Sequence, residues 1–324
     1  MKYRSFPQSG IEVSELSLGT MMFGGQTAEE DSRKIMDYAF SQGVNFFDTA
    51  NMYNFGRSEE IVGRWIKDSG KRHEVILATK VFNPTGEERN SHGLSRRHII
   101  MQVEESLKRL QTDYIDVYYL HSPDYGTDIE ETMYAMDMLV RAGKVLYPAV
   151  SNFAAWQVGD AMYVSEKRGY AKPVLSENVY NLLTRGIEAE FTAFIRQHPI
   201  GVTVYNPIAA GLLTGKHKNG APTQGTRFAN NASYANRYWS DLNFSAVEKL
   251  SKIAEDEGMS LIEFSMKWVA QHDFVTSIIT GVSRLDQIKQ NLSLLDGAAI
   301  SDEALKKCDL LYDEITGNRF AYNR

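Results

Sequence analysis

Short apolar runs alternate with longer amphipathic stretches along almost the whole chain. The runs Glu15–Gly19, Asn45–Asp48, Val75–Lys80, Ile115–His121, Val145–Val150, Val174–Asn178, Gly201–Tyr205 and Val275–Ile279 have the composition of buried strands. Between them, sets such as Ile35, Met36, Ala39 and Phe40, or Ile99, Ile100, Val103, Leu107 and Leu110, each fall on one face of a helix. Strand followed by helix, repeated, predicts parallel strands joined by crossover helices. About eight such units favour a closed (β/α)8 TIM barrel over an open doubly wound sheet, because closure buries the strands on both faces. No Gly-x-Gly-x-x-Gly follows any of the strands, which weakens the open-sheet alternative further. Ahead of the first unit, Tyr3–Phe6 and Ile11–Val13, joined by Pro7-Gln8-Ser9-Gly10, read as an N-terminal β-hairpin over the bottom of the barrel. Thr27 followed by Glu30 has the form of a capping box opening the first helix.

One connection breaks the rhythm. Asn206 to Asn243, the long loop after strand 7, carries glycines, asparagines and the aromatics Phe228, Tyr234, Tyr238 and Trp239 but little helical periodicity. Connections of that length are functional or disordered, and here a partly mobile flap over the site is expected. No Pro/Gly/Ser linker divides the chain, so residues 1–324 are expected to form one barrel domain.

Composition narrows the function classes. Hydrophobic residues make up 43% and charged ones 23%, and no apolar run approaches the length of a membrane span. A net charge of −6 opposes nucleic-acid binding, which needs a basic stripe to meet phosphates. Met1 to Phe6 has no apolar segment of the secretory type, and Cys308 is the sole cysteine, so a cytoplasmic protein with no disulfide is expected. The seven histidines show no metal-ligand spacing, so no metal is expected. Gly211-Leu212-Leu213-Thr214-Gly215-Lys216-His217 superficially suggests a P-loop but fails on spacing, with Ala210 where the first Gly belongs and His217 in place of Ser/Thr.

In a barrel the chemistry sits at the C-terminal ends of the strands. The polar residues closing the apolar runs are Asp48, Lys80, His121, Ser151-Asn152, Glu177-Asn178 and Tyr205, with Tyr53 just beyond the second strand. Each has an ordinary explanation alone: Asp48 can cap a turn, Lys80 can snorkel, His121 can be a satisfied histidine, Tyr53 can be packing. Together, an acid, a lysine, a tyrosine and a histidine facing one pocket suit delivery of a proton to a carbonyl oxygen. A tyrosine is a poor acid at neutral pH. A lysine charge about 4 Å away, worth about 4 kcal/mol at an effective dielectric near 20, is expected to lower Tyr53 towards its task.

The same residues carry a family resemblance. Phe46-Phe47-Asp48-Thr49-Ala50-Asn51-Met52-Tyr53, with Gly56 and Ser58-Glu59 following, resembles the aldo-keto reductase motif. So do Leu18-Gly19-Thr20-Met21, Asp116-Val117-Tyr118-Tyr119-Leu120-His121, Gly143-Lys144-Val145, Val150-Ser151-Asn152-Phe153, Pro173-Val174 leading to Tyr180-Asn181, and Gln287 to Leu292. The resemblance implies Asp48, Tyr53, Lys80 and His121 as the catalytic set and NADPH, with NADH as the alternative, as cofactor. It also implies cofactor contacts from Gly19, Thr20, Met21, Asp48, Ser151, Asn152, Glu177, Tyr205, Pro207, Gly211, Leu212, Leu213, Gly281, Ser283, Arg284, Gln287, Gln290 and Asn291. By that resemblance Ser151 and Asn152 bind the nicotinamide carboxamide, Tyr205 stacks on the ring, Gly211-Leu212-Leu213 lie against the pyrophosphate, and Gln287 and Asn291 meet the adenosine end. Where the family has a glutamine for the carboxamide, this chain has Glu177, which accepts a hydrogen bond but donates one only when protonated. Arg284 is the candidate for a 2′-phosphate.

The expected activity is therefore reduction of a small-molecule aldehyde or ketone, with proton donation from Tyr53. The alternatives are an NAD(P)-dependent alcohol or sugar dehydrogenase working in reverse on the same residues, and a slow, cofactor-sensing regulatory subunit of the kind some relatives attach to membrane channels. The outer helices of a barrel carry no sequence signal of oligomeric state.

Overall fold

The computed structural model describes residues 1–317 apart from 218, 219, 221, 223–226 and 231. Among these, β1 (Tyr3–Ser5) and β2 (Glu12–Ser14) form an antiparallel hairpin. The strands β3 (Leu16–Gly19), β4 (Phe46–Asp48), β5 (Ile76–Val81), β6 (Ile115–Leu120), β7 (Val145–Ser151), β8 (Leu175–Val179), β9 (Gly201–Tyr205) and β10 (Ser277–Gly281) close a parallel barrel, with β10 beside β3. Helices surround it, and the fold is a (β/α)8 TIM barrel with an N-terminal hairpin. Each strand lies within two residues of the run read from the sequence. The largest shift is the last, because Val275 and Thr276 lie before β10, where the Thr276 hydroxyl accepts a bond from the Val202 amide instead.

Alternation along the strands sorts the barrel interior into layers. Phe46, Ala78, Val117, Tyr119, Ala149 and Leu175 form one buried apolar cluster inside the ring, and Phe6 and Val13 of the hairpin join it. Phe6 stands edge-on to Phe46, centroids 5.7 Å apart. Two residues further along the same strands come Asp48, Lys80 and Glu177, so one register places an apolar plug below and charged groups above. The hairpin is tied down by Arg4, whose guanidinium donates to the carbonyls of Ala270 (2.7 Å), His272 (3.3 Å) and Val275.

Two local expectations need correction. The helix Glu29–Ser41 starts from Ala28, with no side-chain cap. Thr27 is bound into a turn, its amide on the Met22 carbonyl, and its hydroxyl donates to Ser283 O at 3.2 Å. The segment after β9 is also more ordered in its described parts than its weak periodicity suggested. It contains a 3-10 stretch, Ala209–Thr214, and two short helices, Arg227–Asn230 and Ala232–Tyr238. The next helix, Asp241–Asp256, begins before Asn243, with Ser240 accepting from the Asn243 amide at its N-terminus. Part of the expected flap lies outside the described residues. No helix among the described residues is long and apolar enough to cross a membrane.

Candidate active site

A cavity of about 920 Å³ opens at the C-terminal ends of the strands, lined by residues of β3, β4, β8, β9 and β10 and the loops that follow the strands. At its floor Lys80 is fully buried, and both carboxylate oxygens of Asp48 accept from its ammonium, Oδ2 at 2.5 Å; Lys80 also donates to Thr49 O at 3.0 Å. Glu177 Oε2 lies 3.3 Å from the same nitrogen, a contact by charge without hydrogen-bond alignment. Burial works against the charge of Lys80, but Asp48 and Glu177 outweigh it and hold the ammonium protonated. Burial, and next the charge of Asp48, pushes Glu177 up to about 8. Burial also raises Asp48 in spite of Lys80.

Tyr53 follows β4 at the start of an unusual turn. Asn54, Phe55 and Gly56 all have positive φ, 49°, 59° and 86°. The Asn54 amide holds the turn by donating to the carbonyls of Met21 (2.8 Å) and Phe23 (2.7 Å). Tyr53 and His121 meet edge to face with centroids 6.1 Å apart, and Lys80 Nζ is 5.5 Å from the Tyr53 ring centre. The expected acidification of Tyr53 is absent. Burial raises the phenol above its ordinary value, and the lowering by Lys80 is opposed by Asp48 and Glu177. Tyr53 thus keeps its proton at neutral pH. His121 is held neutral, its pKa pushed down to about 3 by burial and then by Lys80. Asn83 Nδ2 lies 3.2 Å from His121 Nδ1; with the amide as donor, the ring proton sits on Nε2.

The motif residues Ser58 and Glu59 brace this floor from behind. The Ser58 hydroxyl meets Thr20 Oγ1 (2.8 Å), Thr49 Oγ1 (2.9 Å) and Thr20 O (2.9 Å), joining the ends of β3 and β4. Glu59, fully buried, accepts from Thr79 of β5 and from Arg109, each at 2.6 Å.

Along the walls, Tyr205 donates to Asn152 Oδ1 at 2.7 Å, and Asn152 Nδ2 donates to His121 O at 3.0 Å. Gly19, Thr20, Met21, Asp48, Asn152, Glu177, Tyr205, Pro207, Gly211, Gly281, Ser283, Arg284, Gln287, Gln290 and Asn291 all line the cavity. Three proposed contacts stand back from it. Ser151 is fully buried and accepts from Asn152 Nδ2 at 3.0 Å, and the side chains of Leu212 and Leu213 belong to the core. The amides of Gly211 and Leu213 are engaged with Ile208 O, because the 3-10 turn closes on itself. Thr214, Lys216 and His217 line the cavity there. At the far end Gln287 Oε1 accepts from Ser283 N (2.8 Å), and Arg284 grips Asp286 at 3.1 and 3.2 Å in the open. Tyr234, one of the aromatics of the expected flap, is also in the wall, together with Arg237, which carried no sequence signal.

The cavity suits a dinucleotide. Its volume is about 920 Å³, it has an aromatic face at Tyr205 and Lys216 and Arg284 in its lining, and among the described residues its wall holds two buried polar atoms without aligned partners, Glu177 Oε2 and Asn206 Nδ2.

Fold and site together define a barrel oxidoreductase. The model of the Aldo/keto reductase family matches residues 15–313, and the chain belongs to that family. It is 38% identical over 301 residues to a probable voltage-gated potassium channel subunit beta of Arabidopsis thaliana, covering 91% of this chain and 92% of that one. It is 36% identical over 306 residues to the uncharacterized oxidoreductase YrpG of Bacillus subtilis (strain 168), covering 91% of each. With protein tas of Escherichia coli (strain K12) the identity is 31% over 344 residues, covering 98% and 99%.

Proposed function

We propose that this protein reduces an aldehyde or ketone to the alcohol with NADPH, NADH being the lesser alternative. The observation that carries the reading is the convergence of Tyr53, His121 and Asp48, with Lys80 buried against Asp48, at a cavity of about 920 Å³. A bound reduced nicotinamide supplies hydride. Tyr53 holds the proton that goes to the carbonyl oxygen, and neutral His121 donates from Nε2 to orient that oxygen. Lys80 stabilises the phenolate left behind, and Asp48 fixes Lys80. Asn152, Glu177 and Tyr205 would hold the nicotinamide, Lys216 the pyrophosphate, and Arg284, Gln287, Gln290 and Asn291 the adenosine end.

The test is loss of reduced-nicotinamide absorbance with NADPH and NADH separately across an aldehyde panel. Tyr53→Phe is expected to lower turnover by about a hundredfold or more with cofactor binding retained; undiminished turnover removes Tyr53 from the chemistry. The 38% identity to a protein described as a channel beta subunit favours a second reading, a cofactor-sensing regulatory subunit. Tight cofactor binding with a single turnover and no steady state would select it. Oxidation of alcohols by the same residues is the reverse of the proposed reaction.

A further inference from the structure

The site holds one carboxyl more than proton delivery to a carbonyl needs. Asp48 places both oxygens on Lys80 Nζ, whereas Glu177 Oε2 stands 3.3 Å from that nitrogen without hydrogen-bond alignment, with the Asp48 carboxyl as its acidic neighbour. The side chains of Lys80, Asp48 and Glu177 are 0%, 3% and 5% exposed, so little water reaches them. With all three ionised, the cluster would carry an unbalanced negative charge out of solvent, a costly arrangement. One proton removes the imbalance. It belongs on Glu177, the carboxyl with the poorer hold on the ammonium. Among the described residues, the other titratable groups that face Glu177 are Tyr53, Tyr119 on β6 and Tyr205 on β9, and none brings a second positive charge. On its own strand, Asn178 is turned to Ser176 Oγ at 2.8 Å.

We propose that Glu177 is a proton-holding residue of the cofactor site: its neutral carboxyl donates a hydrogen bond to an amide-type acceptor oxygen of the bound dinucleotide, and binding weakens when Glu177 ionises. The inference rests on a nicotinamide cofactor occupying this cavity. A protonated carboxyl offers one donor and one acceptor, the complement of a side-chain amide, whereas a carboxylate only accepts. Ionisation also sets a second negative charge against Tyr53, so the same proton lets the field of Lys80 act on the phenol. The upward displacement of Glu177 by burial agrees with the charge count.

The experiment is a fluorescence or calorimetric titration of the cofactor-free protein with NADH, NADPH and NADP+ from about pH 6 to about pH 10, on wild type and Glu177→Gln. NADH removes the contribution of a titrating 2′-phosphate. For wild type the dissociation constant is expected to rise by about tenfold per unit above about pH 8, and for Glu177→Gln to stay flat. An infrared titration of the cofactor-free wild type is expected to show a protonated-carboxyl band that disappears over the same range. That band should be missing from Glu177→Gln and displaced in Glu177→Asp, which serves if the glutamine variant does not fold. Parallel slopes in wild type and Glu177→Gln, or no such band, overturn the assignment. Tight, pH-independent binding by wild type overturns this role alone, whereas no dinucleotide binding at any pH overturns the cofactor reading with it.

Discussion

Tyr53 shows how the surroundings of a residue override its type. The phenol has a lysine nearby, yet burial and the charge of Asp48 keep it from ionising, so the free site holds a loaded proton donor with a neutral imidazole beside it. Because His121 is neutral throughout the ordinary working range, no limb near pH 6.5 is expected in the pH profile of kcat/KM; a limb there would show an imidazolium in the active form. Glu177 also couples the site to stability. Its folded pKa lies above the unfolded value of 4.5, so its contribution is present below about pH 4.5 and lost as pH rises to about 8. Denaturant unfolding should therefore show wild type losing stability relative to Glu177→Gln across that window, with a slope approaching about 1.4 kcal/mol per pH unit. Asp48, Lys80, His121 and Glu177 were legible in the sequence because each closes an apolar run. The crowding of one ammonium by two carboxyl groups was not, since it depends on three strands meeting at one depth.

Among elements, the β-strands could be read closely because burial on both faces forces near-continuous apolar runs. The excursion after β9 could not: its helices carry too few apolar positions to show a period, and Phe228 and Tyr238 find their partners only in the folded molecule. The capping expectation at Thr27 failed for a related reason, a turn to Met22 and Ser283 that no local pattern announces. The turn after Tyr53 stores strain in a fully exposed phenylalanine, Phe55, at φ 59°. Phe55→Asn, which suits the left-handed region, is expected to raise unfolding free energy by about 0.5–1 kcal/mol; a loss would mean that the ring has a partner. Gly63, on the helix Arg57–Ser69, is the opposite case. A Cβ there would stand 2.3 Å from Arg109 O and 2.6 Å from Leu110 Cα, so the two helices touch backbone to backbone. Gly63→Ala should cost about 2–3 kcal/mol in denaturant unfolding.

Across the whole molecule, one cavity joins an acidic floor to a mouth where Arg284 is already paired with Asp286. A 2′-phosphate must compete with that carboxylate. Asp286→Ala is accordingly expected to improve NADPH binding relative to NADH by about three- to tenfold, and Arg284→Ala to reduce the same ratio, both read by titration. Equal effects on the two cofactors would move the 2′-phosphate contact elsewhere. Arg4 bears on how such a molecule is made. Its carbonyl partners Ala270 and Val275 lie 266 and 271 positions along the chain. A ribosome adding about 5–20 residues per second reaches them roughly 15–50 s after Arg4. Throughout that interval Phe6 and Val13 have no finished ring to enter, so the nascent hairpin keeps its apolar face uncovered until the last strand arrives.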